Sequence, residues 1–213
     1  MAADGPLRAL DERVGRAARG RLVPGRFAEF FADLGNMTVA LPVLAVALGY
    51  AAWRLRRATG RWWPAPLAAA VTMAAVPALV APVKALLDRP APPGPLAGTD
   101  GFYPSGHTAT ATIAYGAAAM LVLLSHRATG ARRASPRGSG GAGGASAAGR
   151  GGPGRRGVAV VVAAVVLLNL GVGAGLVLRG YHWPLDVIGS WCLSGALLTA
   201  LLAVCRRWLV PRG

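Results

Sequence analysis

Five stretches of this chain run without a charged residue for about the length of a membrane-spanning helix: Leu34 to Trp53, Trp62 to Val83, Thr108 to Ser125, Val158 to Leu178 and Val187 to Cys205. With 54% of 213 residues hydrophobic and gathered into such blocks, a soluble fold competes poorly. The expected fold is all-α, a polytopic membrane bundle of about five transmembrane helices, because a spanning backbone has to satisfy its own hydrogen bonds. Trp53, Trp62, Trp63, Trp183 and Trp208 fall at or near the span ends, where an indole buries its ring and keeps its N–H among headgroups.

The distribution of charge sets the orientation. A net charge of +15 would raise nucleic acid as a partner of a soluble protein, but here the arginines sit in the connections between spans. Residues 54–61, 126–157 and the tail after Cys205 carry four, seven and three arginines and no acid. With five alternating spans these three segments share one side, which the positive-inside rule places in the cytoplasm of a plasma-membrane protein. The 84–107 and 179–186 connections then face outward, together with the N-terminal segment. That segment, residues 1–32, has six arginines against four acids, which strains the rule. Its Leu7, Leu10, Val14 spacing suits an amphipathic helix lying on the membrane surface, which eases the conflict.

Four regions follow: the segment 1–32, a first part of the bundle over 33–125, a Gly/Ser/Arg linker over 126–157 too poor in apolar side chains to pack, and the rest of the bundle with a basic tail over 158–213. Cys192 and Cys205 lie about 20 Å apart along one expected helix and cannot bridge each other. Asn169 and the glycines at 171, 173 and 175 read as close-packing positions, since small residues let membrane helices approach. His126 reads as an interfacial residue at the cytoplasmic end of its span.

The outward side gathers three polar islands. The first, VKALLDRPAPPG, holds Lys84, Asp88 and Arg89, and Lys84 is the single lysine of the chain. Alone it reads as a snorkelling lysine paired with Asp88, but an ammonium kept among so many arginines also suits a phosphate site. The second, YPSGH, opens the third span. There Ser105 can cap the helix while the free N–H groups that follow hold an anion. The third, RGYHWPLDVIGSW, sets His182 four residues before Asp186 with Pro184 between them, so a helix starting at the proline brings carboxylate and imidazole together. Ionisable groups at membrane depth are costly and mark function.

Two histidines, a carboxylate, a lysine, arginines and a helix N-terminus suit phosphoryl transfer. One histidine attacks phosphorus, the other protonates the leaving oxygen, and the cations hold the equatorial oxygens. The region has too few carboxylates and histidines for a metal site once one aspartate orients a histidine.

These residues resemble the type 2 phosphatidic acid phosphatase (PAP2) superfamily, whose motifs are K-x6-R-P, P-S-G-H and S-R-x5-H-x3-D. Pro104-Ser105-Gly106-His107 matches the second motif and His182-x3-Asp186 the end of the third, and the resemblance runs from Lys84 to Gly189. It implies that His182 is the nucleophile forming a phosphohistidine, Asp186 its orienting partner and His107 the acid for the leaving group. Lys84, Ser105 and the Gly106 N–H would bind phosphate oxygens, with no metal and no cofactor.

Both motif arginines are missing: Ala91 stands at the first position, and Gly175-Leu176 replaces Ser-Arg in the third motif. Arg89 and Arg179 lie nearby and are expected to take over phosphate binding. The competing expectation is a degenerate member that binds lipid or scaffolds. A phosphotransferase is the second enzymatic alternative, and five spans suit a lipid better than the diffusible halide of a haloperoxidase. The expected partners are membrane lipids and a lipid-phosphate or polyprenyl (pyro)phosphate substrate, not nucleic acid. Phosphatidic acid, phosphatidylglycerol phosphate and undecaprenyl pyrophosphate are not separated by these residues.

Overall fold

The structure, a computed structural model, describes residues 5–19, 24–58, 60–134 and 154–209. Seven helices and no strand are found among them: α1 (Pro6–Arg19), α2 (Gly25–Asp33), α3 (Met37–Ala58), α4 (Pro64–Leu87), α5 (Gly106–Ala134), α6 (Arg155–Leu178) and α7 (Pro184–Leu209). Five of them, α3 to α7, are long and apolar enough to cross a membrane. Each apolar block of the sequence falls largely within one such helix, with the helix ends displaced by a few residues from the block ends.

The bundle is organised around α5, which packs against α3, α4, α6 and α7. Its buried face is built from Ala109, Ala111, Ile113, Ala114, Ala117, Ala118 and Leu121. Small side chains predominate because lipid tails are as apolar as leucine, so helices gain by approaching closely rather than by leaving water. Interhelical hydrogen bonds reinforce the packing, among them that from Thr112 Oγ1 on α5 to Asn169 Oδ1 on α6 at 2.8 Å.

Helices α3 to α7 alternate in direction, so the α4–α5 and α6–α7 connections share one end of the bundle. The turn between α2 and α3 reaches the same end: Tyr115 of α5 donates a hydrogen bond to the Leu34 carbonyl at 2.6 Å. At the opposite end Tyr50 and His126 are hydrogen-bonded at 2.9 Å, and Trp53, Trp62, Trp63 and Trp208 are exposed as interfacial anchors should be. Trp183 departs from that expectation. It is buried at the other end, with its indole N–H on the Pro90 carbonyl at 3.1 Å and its ring under Arg19 and Arg89.

The N-terminal segment also differs from a single surface helix. Pro6 opens α1, the Arg8–Glu12–Arg16 ladder stabilises it along one side, and Leu7, Leu10 and Val14 are exposed together. An adjacent stripe, Asp11 and Gly15, is buried against α6 and α7. Helix α2 buries Ala28 and Ala32 on α6, where Gly171 leaves space for the Phe31 ring. In the 126–157 region α5 continues as helix to Ala134 and α6 starts at Arg155, which shortens the proposed linker; residues 135–153 lie outside the described residues.

Candidate active site

The loop between α4 and α5 is tied to itself and to α7 by backbone hydrogen bonds. Asp88 takes a left-handed conformation that ends α4, with its N–H on the Lys84 carbonyl at 2.9 Å. The Phe102 N–H reaches the Arg89 carbonyl at 3.0 Å, and the Ser105 N–H reaches the Asp186 carbonyl at 3.1 Å. Ser190 closes the junction, since its hydroxyl is 2.8 Å from the carbonyls of both Ser105 and Asp186. The N-terminus of α5 is thereby fastened to the first turn of α7.

At that junction Ser105 is wholly buried and caps α5, its Oγ accepting hydrogen bonds from the Thr108 N–H at 3.2 Å and the Thr108 hydroxyl at 3.0 Å. The N–H groups of the first helical turn, at Gly106 and His107, have no intrahelical acceptor. His107 itself is exposed and lies within electrostatic reach of His182, Lys84 and Asp33.

Pro184 begins α7 and turns Asp186 back toward His182, as the four-residue spacing requires. His182 Nδ1 and Asp186 Oδ2 are 3.3 Å apart, and the same oxygen accepts the Trp183 N–H at 2.9 Å. Asp186 is fully buried and His182 nearly so. With Nδ1–H directed at the carboxylate, the lone pair of the imidazole is on Nε2, which is the arrangement a histidine nucleophile needs.

Phe102, which carried no signal in the sequence, stands between the two basic groups. Its ring centroid is 5.4 Å from that of His182 and 6.0 Å from Lys84 Nζ. The carboxylate within electrostatic reach of Lys84 is Asp186 rather than Asp88, so the simple snorkelling pair is not what forms.

The two arginines are both held by carboxylates. Arg89 is nearly buried between Asp186, 2.6 Å from Nη1, and Asp11 of α1, which is ion-paired with Nη2. Arg179, at the end of α6, is ion-paired with Glu29 of α2, whose carboxylate also accepts the Tyr181 hydroxyl at 2.9 Å. The Tyr181 hydrogen bond, followed by the Glu29 charge, raises the pKa of Arg179 above its ordinary value. Asp11 and Glu29 were not foreseen as neighbours of these arginines. Nothing local marks them, because both contacts join residues far apart in the chain.

The positions of the missing Ser-Arg pair are occupied by helix packing. A Cβ on Gly175 would lie 2.8 Å from the Ala32 backbone nitrogen, so α2 fits against α6 only because no side chain is there. Leu176 is fully buried in the hydrophobic core. In the first motif the Arg-Pro dipeptide does exist, as Arg89-Pro90, with two fewer residues separating it from Lys84 than K-x6-R-P demands.

The sequence model of the PAP2 superfamily matches residues 65–209, about two thirds of the chain. The chain belongs to the PAP2 superfamily. The matched region contains α4 to α7, and with them every candidate site residue from Lys84 to Asp186. No curated protein and no solved structure matches the chain. As a PAP2 protein with five membrane-crossing helices it is consistent with a phosphatase, and α1 to α3 lie outside the family match.

Proposed function

We propose that this PAP2 protein hydrolyses a lipid phosphate or polyprenyl (pyro)phosphate at the extracytoplasmic face of the plasma membrane, through a phosphohistidine on His182. The observation that carries this reading is the buried His182–Asp186 pair at 3.3 Å, set beside the N-terminus of α5 at the end of an apolar bundle. His182 Nε2 attacks phosphorus, and Asp186 stabilises the positive charge that the ring acquires. The P–O bond to the leaving group breaks as His107 supplies it with a proton; water then attacks the phosphohistidine and releases phosphate.

Lys84 and the N–H groups at Gly106 and His107 hold the phosphoryl oxygens in this reading, and the Ser105 hydroxyl orders the cap beside them. The mechanism requires no metal. An amphiphilic substrate is favoured because the site stands where spans end, the depth at which lipid phosphates lie.

A second reading is a catalytically weak member that binds lipid or scaffolds. It is favoured by the carboxylate partners of Arg89 and Arg179 and by the closure of positions 175 and 176. Phosphate release from a panel of lipid phosphates by detergent-purified protein in EDTA, wild type against His182→Ala, separates the two. Release lost in the variant supports the phosphatase; no release from any lipid by folded wild-type protein supports the second reading.

A further inference from the structure

We propose that Asp11, in the N-terminal helix outside the family match, is a positioning residue for His182, acting through Arg89 on Asp186. The inference rests on the phosphatase reading for its catalytic meaning and on geometry for its content. Asp11 is 4% exposed, although aspartate is rarely buried unless paired. One oxygen is ion-paired with Arg89 Nη2; the other accepts the Leu185 N–H at 2.8 Å, in the first turn of α7. Both ends of this carboxylate therefore bear on the turn that carries His182 and Asp186.

Docking of α1 has its own explanation, because Gly15 lets the helix close on Trp183 and Arg19 covers the same ring at 5.0 Å. Neither contact needs an anion at residue 11. What the anion does is hold the far arm of a planar fork whose near arm is on Asp186. A guanidinium held at one end only can swing. Held at both, it fixes Asp186 so that Oδ2 remains for the Trp183 N–H and the His182 ring, and the imidazole is kept in its Nδ1–H tautomer with Nε2 free.

The test is nitrogen-15 NMR of histidine-labelled full-length protein, whose three histidines make the ring signals assignable through His107→Gln and His126→Gln. Wild type is compared with Asp11→Asn, Asp11→Glu, Arg89→Lys, Arg19→Gln and Asp186→Asn. Asp11→Asn and Arg89→Lys, which keeps the charge but removes the fork, should each convert the His182 ring from one tautomer to a mixture, and Asp11→Glu should recover much of it. Arg19→Gln, which loosens the same helix without touching the carboxylate, should leave it unchanged. His182 signals in Asp11→Asn that superimpose on wild type, or that move no further than in Arg19→Gln, overturn the proposal.

Phosphate release from dioleoyl phosphatidic acid in mixed micelles is measured on the same samples. Turnover in wild type that Asp11→Asn lowers through kcat, by up to about a hundredfold with KM unchanged, extends the effect to catalysis. Absence of turnover in wild type counts against the phosphatase reading alone, since the tautomer is read without it.

Discussion

Arg89 Nη1 lies 2.6 Å from the Asp186 carboxylate, a contact that joins the loop after α4 to the first turn of α7 across 97 residues of chain. It places an arginine behind the histidine's partner, on the side away from the ring. Asp186 thus has two side-chain partners on different oxygens, Arg89 on Oδ1 and His182 on Oδ2.

Removing that guanidinium should be costly. Arg89→Ala leaves Asp186 and Asp11 buried without their shared cation, a loss of about 3–5 kcal/mol for a broken buried pair. A thermal melt in detergent should show a much lower midpoint for Arg89→Ala than for Arg13→Ala on the exposed side of α1. Equal midpoints would show that the network adds nothing to stability.

Gly175 gives a prediction of sign. Glycine to alanine in an ordinary helix interior gains up to about 1 kcal/mol. Here the added methyl group would meet the α2 backbone, so Gly175→Ala should instead destabilise by about 1–3 kcal/mol through overpacking. Gly175→Ser should do the same and leave phosphate release no faster, although it restores a family residue. A stabilised or faster Gly175→Ser protein would contradict the close approach of α2 and α6.

Glu29 is the ion-pair partner of Arg179, so a phosphate would have to displace it to reach the guanidinium. Glu29→Gln should release the guanidinium and lower KM for a lipid phosphate a few-fold, with kcat little changed. An unchanged KM would mean that Arg179 takes no part in phosphate binding and serves to hold α2 on α6.

A pH dependence follows from α1. The Arg8 hydrogen bond, aided by Arg16, holds the Glu12 carboxyl below the ordinary carboxylate range. A carboxyl depressed in the folded state contributes stability above its unfolded pKa, about 4.5, and that contribution disappears as pH falls through the folded value. The protection factors of the α1 amides, exchange rates corrected for their intrinsic pH dependence, should therefore fall below about pH 4.5 while those of α5 are maintained, and Glu12→Gln should remove this step. Protection factors in α1 that stay constant down to pH 3 would rule it out.

Much of the candidate site's local geometry was legible because its signals are local. PSGH is a cap followed by a helix N-terminus, and His182 and Asp186 are one helical turn apart. Lys84 stands out in a chain of arginines. The neighbours that came only with the structure, Phe102, Asp11 and Glu29, reach the site through the tertiary fold. The same is true of Trp183: its place at a span end was readable, but its burial under α1 was not.

The sequence by itself determined the five membrane-crossing helices, the end of the bundle at which the polar islands meet, and the membership of the PAP2 superfamily, because hydropathy over a span and spacing within a turn are short-range properties. Only the tertiary structure decided what the arginines touch. A guanidinium on a long stem pairs with whichever carboxylate the packing brings within reach, and here α1 and α2 bring Asp11 and Glu29 from the far end of the chain.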